Sequence, residues 1–430
     1  MKYGQFLDEG VILKNLLDGK KIAIGVTGSI AIYKTLELIR LFIKSGAKVR
    51  VVMSESSHEF IKPLTFEAIS QNVVLTKKSE SWGSDNNHIG LAKWADIFVI
   101  APASANSVNK IANGIADNLL LESVLAFSKP LIIAPSANTN MYLNPNTQGS
   151  LKKLKVFGHI LVEPQTKLLA CNDEGIGAMA EPLEIFYKSA KELLKDNFWI
   201  NRRVVVSGGG TIERIDDVRY ISNFSSGKMA NALSLALYLR GADVCLITTK
   251  KSSDMPDEIY TIEVESSKQM QEMIVKSLEV AKKGIMSKPN INEKEAPKLI
   301  QKKPYLFMAA AVSDFVPIYT KGKIKKESLG QEITITLKKN IDILSNLDKA
   351  GITTIGFKAE LDSNNALISA KNMLKDKNLD AVCLNIIGKE NDFGSEENEV
   401  DFITDKEVKK IEKNSKLNVS FEILEYSKEV

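Results

Sequence analysis

The sequence predicts an α/β protein built as two doubly wound, mainly parallel sheets, one in each half of the chain. Three observations carry this. Strand–helix–strand cycles open at Lys21 and again at Arg203, the strands are short apolar runs of the kind covered on both faces, and 430 residues exceed the size at which one hydrophobic core usually keeps growing.

In the first half KIAIGVTG reads as a strand, SIAIYKTLELIRLFIKSG as a helix closed by Gly46, and AKVRVVMS as the next strand. ADIFVIAP and KPLIIAP follow as further strands, each running into a polar loop that ends in small residues. The second cycle is VVVSGGGT, the helix SSGKMANALSLALYLRGA and the strand DVCLITT, so the halves repeat a layout without repeating a sequence. Between them KELLKDNFWINRR reads as a helix end and a short connector, which places the boundary near residues 196–202 and the domains at 1–196 and 197–430. Residues 282–304, rich in Lys, Pro and Asn with little periodicity, read as an exposed insertion.

Composition narrows the function. With 57 basic and 53 acidic residues the net charge is only +4, which argues against nucleic acid as the main partner. No run approaches the roughly 18 apolar residues of a membrane span. The start MKYGQFLDEG is acidic where a signal peptide would be basic, so a cytoplasmic protein is expected. Three cysteines cannot build a disulfide framework. Cys245 and Cys383 lie in apolar strand-like runs and are expected as buried thiols, whereas Cys171 sits in the polar, glycine-bearing loop ACNDEGIGAM.

Ligands of doubly wound sheets bind beyond the carboxyl ends of the strands, where loops meet helix N-termini that favour anions. Three loops of the first half qualify: Thr27-Gly28-Ser29, Ser54, and Ala101 to Asn106 with Ala103, Ser104 and Ala105. Their small and hydroxylated residues let backbone amides approach a phosphate, although each loop alone also fits a turn or a helix cap. No G-x-G-x-x-G accompanies them, so a mononucleotide such as FMN is expected rather than a nicotinamide dinucleotide.

The motifs of this half are specific. APASANSVNKIANGIADNLL resembles the PASANT signature of the homo-oligomeric flavin-containing cysteine decarboxylases, PSANTNMY their substrate motif, NHIGLAKWAD their histidine segment, and ACNDEGIGAM their cysteine loop. The resemblance implies a flavodoxin-like domain with FMN bound. It implies that Asn138, with Met141 nearby, holds the substrate carboxylate, that His88 serves catalysis beside the flavin, and that Cys171 donates a proton. A thiol of ordinary pKa about 8.5 is protonated at neutral pH and suits that role. Ala137 stands where the family has Met and Asn172 where it has Gly. His58 and His159 match no motif and are read as ordinary residues.

In the second half, RYISNFSSGKM resembles the signature of phosphopantothenate–cysteine ligases, a Rossmann-like domain that follows such decarboxylases on many bacterial chains. AAAVSDF, GKIKK, KKNIDIL, IGFKAE and DKNLDAVCLN match in order. The resemblance implies activation of 4′-phosphopantothenate by CTP with Mg2+, followed by attack of cysteine on the acyl cytidylate. Lys323 would neutralise triphosphate charge, and Asn223 would hold the acyl carbonyl. Met308, Ala309, Ala310, Asp314, Ile341, Asp342, Ile343, Leu344, Phe357 and Lys377 would border CTP, although Asp314 also fits a turn-closing cap. Ile341 replaces a frequent Pro and Met373 a frequent Lys, whose charge Lys371 or Lys375 could supply. No metal ligands are assigned. The resemblance further implies a trimeric decarboxylase unit, often four trimers in a dodecamer, and a dimeric ligase domain.

Three other classes were weighed. A prenylated-flavin synthase would lack both the Cys171 loop and the second domain, and a regulatory relative would lack the His or the Cys. A nicotinamide dehydrogenase rests on fold analogy alone.

Overall fold

A computed structural model of the chain describes residues 13–169, 174–250, 252, 254–287, 296–324, 334–388 and 394–430. It divides into two compact units, a first ending at Leu194 and a second formed by Lys195–Ser287 and Lys298–Val430.

The first unit carries a five-stranded sheet in the order Lys48–Met53, Lys21–Val26, Ile97–Ser104, Leu131–Ser136, Ile160–Leu161, every pair parallel. Its strands read as continuous apolar runs because both faces are covered: Ile22, Ala23, Ile24 and Val26 are all fully buried. Ala23, Phe98, Ile100 and Ile133 face one core with Val108, Leu120, Val124 and Leu154 from the helices Ala105–Ala112, Leu119–Ala126 and Pro145–Val156. Helices Ile32–Lys44 and Pro182–Leu194 pack together through Phe42 and Phe186, with ring centroids 5.3 Å apart. The chain steps from its first strand to one side and from its third to the other. Right-handed crossovers therefore put the intervening helices on opposite faces and open a crevice between Lys21–Val26 and Ile97–Ser104.

The second unit repeats the principle with a different strand order. Its eight-stranded sheet runs Tyr260–Glu263, Asp243–Thr248, Arg203–Gly208, Tyr305–Met308, Thr353–Glu360, Ala381–Ile386, Glu397–Ile403, Val408–Ser415. The last two strands are antiparallel and the others parallel. The direction of winding reverses at Arg203–Gly208 and Tyr305–Met308, so the crevice of this unit lies beyond those two strands. Ser266 caps the helix Ser267–Ala281 in a capping box with Gln269, and Gly227 opens the helix Lys228–Leu239.

Cys383 is fully buried, and burial pushes its thiol up. Cys245 is only half-buried and reaches Ser277 Oγ at 3.5 Å, so the expectation of two buried thiols holds for one of them. The segment expected as an insertion starts and ends on a small antiparallel pair, Ile285–Met286 with Leu299–Ile300, whose Met286 and Leu299 are exposed.

Candidate active sites

In the first unit the three predicted loops meet at the crevice. Thr27 is buried and joins two of them: its hydroxyl donates to the Pro102 carbonyl at 2.7 Å and accepts from Ser104 N–H at 2.8 Å. Ser29 Oγ lies 2.9 Å from Ser136 Oγ at the end of the fourth strand. Ser54 follows the second strand, with its N–H donating to Val26 O at 3.0 Å. Ser104 caps the helix Ala105–Ala112 by accepting from Ser107 N–H at 3.3 Å, which leaves Asn106 exposed in the first turn, while Ala103 and Ala105 are buried. Gly28 is held close against Ser56. Serine hydroxyls, a tight glycine turn and a helix N-terminus around one crevice suit a phosphate group, so the residues fit the phosphate end of a flavin mononucleotide.

His88 opens the short helix His88–Trp94, whose N-cap Asn87 accepts from Gly90 N–H at 2.8 Å. Its Nδ1 lies 3.2 Å from Glu80 Oε1 and 3.8 Å from Glu122 Oε2, and Trp82 packs edge-on with ring centroids 5.4 Å apart. A proton on Nδ1 shared with Glu80 leaves the ring lone pair on Nε2. Glu80, Glu122 and Ser54 line one cavity of about 530 Å³, together with His58.

Asn138 caps the turn Thr139–Leu143 and accepts from Asn140 N–H at 2.9 Å; Met141 on that turn is exposed. The strand Glu174–Ala178 lies against this segment. Ala137 N–H donates to Gly177 O at 3.0 Å, and a Cβ on Gly177 (φ +142°) would sit 2.1 Å from Ala137 O. Glu174–Ala178 pairs with Gln165–Leu168, and Cys171 and Asn172 between these strands lie outside the described residues.

In the second unit the loops after Arg203–Gly208 and Tyr305–Met308 are laced together. Ala311 N–H donates to Gly209 O at 2.9 Å and Thr211 N–H to Ala311 O at 3.2 Å. Gly209 has φ +80°, and a Cβ there would meet Thr249 Oγ1 at 2.1 Å, so glycine lets this turn pass close to the end of Asp243–Thr248. Asn223 is exposed and donates from Nδ2 to Val312 O at 3.2 Å, which places it on the AAAVSD loop.

Met308 is buried and accepts from Ser207 Oγ at 3.0 Å, while Ala309 and Ala310 are half-buried at the crevice. Asp314 is exposed, and among the described residues nothing donates to its carboxylate, so no bond supports its reading as a cap. Lys323 is exposed. Its neighbours are tethered: Gly322 N–H donates to Asp217 Oδ2 at 3.0 Å and Ile324 N–H to Asp216 Oδ2 at 3.2 Å.

The remaining predicted residues separate into two groups. Lys377 Nζ pairs with Asp342 at 2.8 Å, tying a helix end to the KKNIDIL segment. Burial pushes the Asp342 carboxyl up, but Lys377 and hydrogen bonds from Ser345 outweigh it and leave it low. Ile341 is 57% exposed, whereas the side chains of Ile343 and Leu344 are 4% exposed and belong to the core, so a nucleotide beside this run would meet their main chain. Phe357 is half-buried on Thr353–Glu360. Met373 packs against the same core, while Lys371 and Lys375 are exposed.

Comparison with known proteins agrees with both halves. A family model described as Flavoprotein matches residues 12–194, and one described as DNA/pantothenate metabolism flavoprotein C-terminal domain matches residues 199–289 and 291–430. The coenzyme A biosynthesis bifunctional protein CoaBC of Haemophilus influenzae is 38% identical over 414 residues, 95% of this chain and 97% of the relative. That of Bacillus subtilis is 35% identical over 420 residues, again 95% and 97%. Among solved structures, the FMN binding protein AtHal3 is 40% identical over 40% of this chain and 94% of its own, with a TM-score of 0.35.

The chain belongs to the CoaBC family of coenzyme A biosynthesis bifunctional proteins.

Within the CoaBC frame, several residues of these sites carried no signal in the sequence. Glu80 is eight positions before His88 and Glu122 thirty-four after it, so no helical spacing announces the cluster. His58, read as ordinary, lines the cavity beside Ser54; His159 keeps that reading, since its Nδ1 accepts Leu131 N–H at 3.2 Å and burial lowers its pKa. Asp216 and Asp217 lie between VVVSGGGT and RYISNFSSGKM, yet only the folded chain shows them gripping residues about a hundred positions later.

Proposed function

We propose that the second unit joins 4′-phosphopantothenate to L-cysteine using CTP, and that the first decarboxylates the 4′-phosphopantothenoylcysteine formed to 4′-phosphopantetheine. The observation that carries this is the pair of switch-point crevices in a CoaBC-family chain. In the first, Thr27, Ser29 and Ser104 draw the strand-end loops together; in the second, Asn223 bonds to the AAAVSD loop.

In the ligase step a carboxylate oxygen of 4′-phosphopantothenate attacks the α-phosphorus of CTP, an O–P bond forms, and the bond to the β-phosphate breaks to release pyrophosphate. Lys323 neutralises the charge that builds on the leaving phosphates, a role suited to a mobile ammonium. The cysteine amine then attacks the acyl carbonyl, whose developing oxyanion Asn223 holds through an amide that donates without titrating, and CMP leaves. Among the described residues no three His, Cys, Asp or Glu side chains form a protein-only metal cluster. Mg2+ usually binds one or two carboxylates together with substrate phosphates, so it fits here as a companion of the triphosphate, for which the exposed Asp314 on the AAAVSDF segment offers a carboxylate.

In the decarboxylase step, Asn138 holds the substrate carboxylate and the Nε2 of His88 takes the thiol proton. Cys171 returns a proton to the product carbon. Bound FMN supplies the two-electron redox capacity that an N-acylated cysteine lacks, since its carboxylate has no neighbouring electron sink. Gly28, Ser29, Ser54 and Ala103 to Asn106 hold its phosphate. The proposed assembly is a trimer of this unit, for which Ile30 and Tyr33, 58% and 59% exposed beside the Ser29 loop, offer apolar surface, with a dimeric ligase unit and a cytoplasmic location as further parts of the proposal.

The test is to incubate the protein with 4′-phosphopantothenate, cysteine and CTP and to follow 4′-phosphopantetheine, pyrophosphate and CMP. Pyrophosphate without cysteine and 4′-phosphopantetheine with it are expected. Absence of both products overturns the reading.

A further inference from the structure

Lys323 presents a physical problem. A lysine that neutralises a leaving pyrophosphate needs a mobile tip, but a side chain rooted in a mobile backbone would spread its charge over many positions and lose most of its effect. The tip of Lys323 is exposed, so its root must be held elsewhere. The residues on either side of it are held by one turn of the chain, more than a hundred positions earlier.

That turn is Ile215–Arg219. Asp216 is 1% exposed and is the acceptor around which it closes: Val218 N–H donates to Oδ1 at 2.8 Å, Arg219 N–H to Oδ1 at 2.7 Å, and Arg219 Nε to Oδ2 at 3.0 Å. Ile324 N–H also donates to Oδ2 at 3.2 Å, and Arg219 Nη2 returns to Ile324 O at 2.8 Å, so residue 324 is bound through both backbone groups. Asp217 grips the other side, accepting from Gly322 N–H at 3.0 Å and from the Tyr319 hydroxyl, while its own N–H donates to Gly322 O at 3.2 Å. Thr320 N–H closes the contact on Ile215 O at 2.9 Å. Burial alone would push the Asp216 carboxyl up, but these donors outweigh it and hold it down to about 2, so it is a full charge at working pH.

A buried carboxylate with this many partners could serve packing alone. Two features argue otherwise. The bonds that leave the turn reach Tyr319, Thr320 and the two residues that bracket Lys323, and the same turn leads directly into Tyr220–Ser222, the strand that delivers Asn223. One turn therefore sets the position of the groups for both half-reactions.

We infer that Asp216, assisted by Asp217, is the positioning residue for Lys323, fixing the backbone root of that lysine so that its ammonium reaches the leaving phosphates of CTP. This rests on the ligase reading above. Asp216 touches no substrate; it acts through the Ile324 peptide group on one side of Lys323, and Asp217 through Gly322 on the other.

The full-length chain is assayed with CTP and 4′-phosphopantothenate for pyrophosphate release in one turnover. Synthetic 4′-phosphopantothenoyl cytidylate with cysteine reports the second half-reaction. Asp216→Asn keeps the shape but not the charge, and a displacement of about 1 Å at the lysine root is expected to slow pyrophosphate release by about a hundredfold. The KM for CTP should stay within about threefold, because what is lost acts on the departing charge rather than on binding. Consumption of the supplied cytidylate should fall much less. Cleavage after Lys323 by a lysine-specific protease should become severalfold faster than in the parent, with the cooperative thermal transition retained.

A residue that only held the fold together would slow both half-reactions alike and abolish the cooperative transition; that result, or an unchanged rate of pyrophosphate release, overturns the proposal. Should Asp216→Asn fail to fold, Asp217→Asn decides, since Asp217 is exposed and the change weakens the side-chain hold on Gly322 N–H without opening the core. A smaller drop in the same step is then expected, and no drop refutes the inference. Lys323→Gln separates the two levels. If it leaves pyrophosphate release intact the ligase role of the lysine is wrong, even where faster cleavage after Lys323 in Asp216→Asn reports the tether.

Discussion

Replacing Gly177 by alanine tests the most tightly specified backbone contact in the decarboxylase unit. The Cβ would stand 2.1 Å from Ala137 O, on a residue whose φ is +142°. An ordinary carbon–oxygen contact is about 3.3 Å, so strand and loop must part by about 1.2 Å. The unusual φ adds about 1–3 kcal/mol of backbone strain. The loop that moves is the one that continues into Asn138, since Ala137 N–H is bonded to Gly177 O at 3.0 Å. A shift of about 1 Å in a substrate-holding group costs on the order of a hundredfold in rate, so decarboxylation of supplied 4′-phosphopantothenoylcysteine should fall by about that factor. Pyrophosphate release by the same sample should be unchanged, because the substitution lies in the first unit. Denaturant unfolding should show a loss of about 1–3 kcal/mol. Decarboxylation within threefold of the parent would refute the argument that glycine at 177 is required for Asn138 to reach its place.

Three further outcomes follow from the geometry. The protein should purify yellow with about one FMN per chain, and a colourless preparation that takes up no added FMN would sink the decarboxylase reading. Lys323→Gln should block pyrophosphate release, while Asn223→Asp should release pyrophosphate and accumulate acyl cytidylate, because its new charge opposes the oxyanion of the later step; equal blocks would place both residues in nucleotide binding. Tyr142 is buried with its hydroxyl 3.2 Å from Glu163, and burial, reinforced by that carboxylate, pushes its pKa from 10 up to about 12. The unfolded phenol ionises first as pH rises, so this contribution is full below pH 10 and is lost between pH 10 and about 12. Tyr142→Phe should flatten the fall of the urea midpoint across that range, and an unchanged slope would count against it.

Much of the site was legible because its residues are contiguous. The turns around Ser29, Ser104 and Asn138 each lie within a few residues of a strand end, where local chemistry dictates both the loop and its use. Within the run 341–344 the sequence did not show which side chains turn inward. Ile341 and Asp342 are on the surface, but Ile343 and Leu344 are core residues, since a chain leaving the crevice must bury its next apolar pair. The position of Met373 likewise turns inward, against Gly356, where a lysine would lose its hydration.

The sequence by itself determined the two α/β halves, the parallel strands buried on both faces, the loops at their carboxyl ends and the family those loops belong to. Those features arise from periodicity and composition within short windows, where propensity and patterning act. Only the tertiary structure decided that the two sheets wind differently, one reversing beside its first and third strands and the other beside its first and fourth. It also decided which distant side chains support the chemistry: Glu80 and Glu122 at His88, Gly177 under Asn138, and Asp216 and Asp217 around Lys323. The reason is physical. Strand order and charge pairing depend on which segments pack side by side, and the free energy of such contacts is set by distance and burial in space, which separation along the chain does not encode.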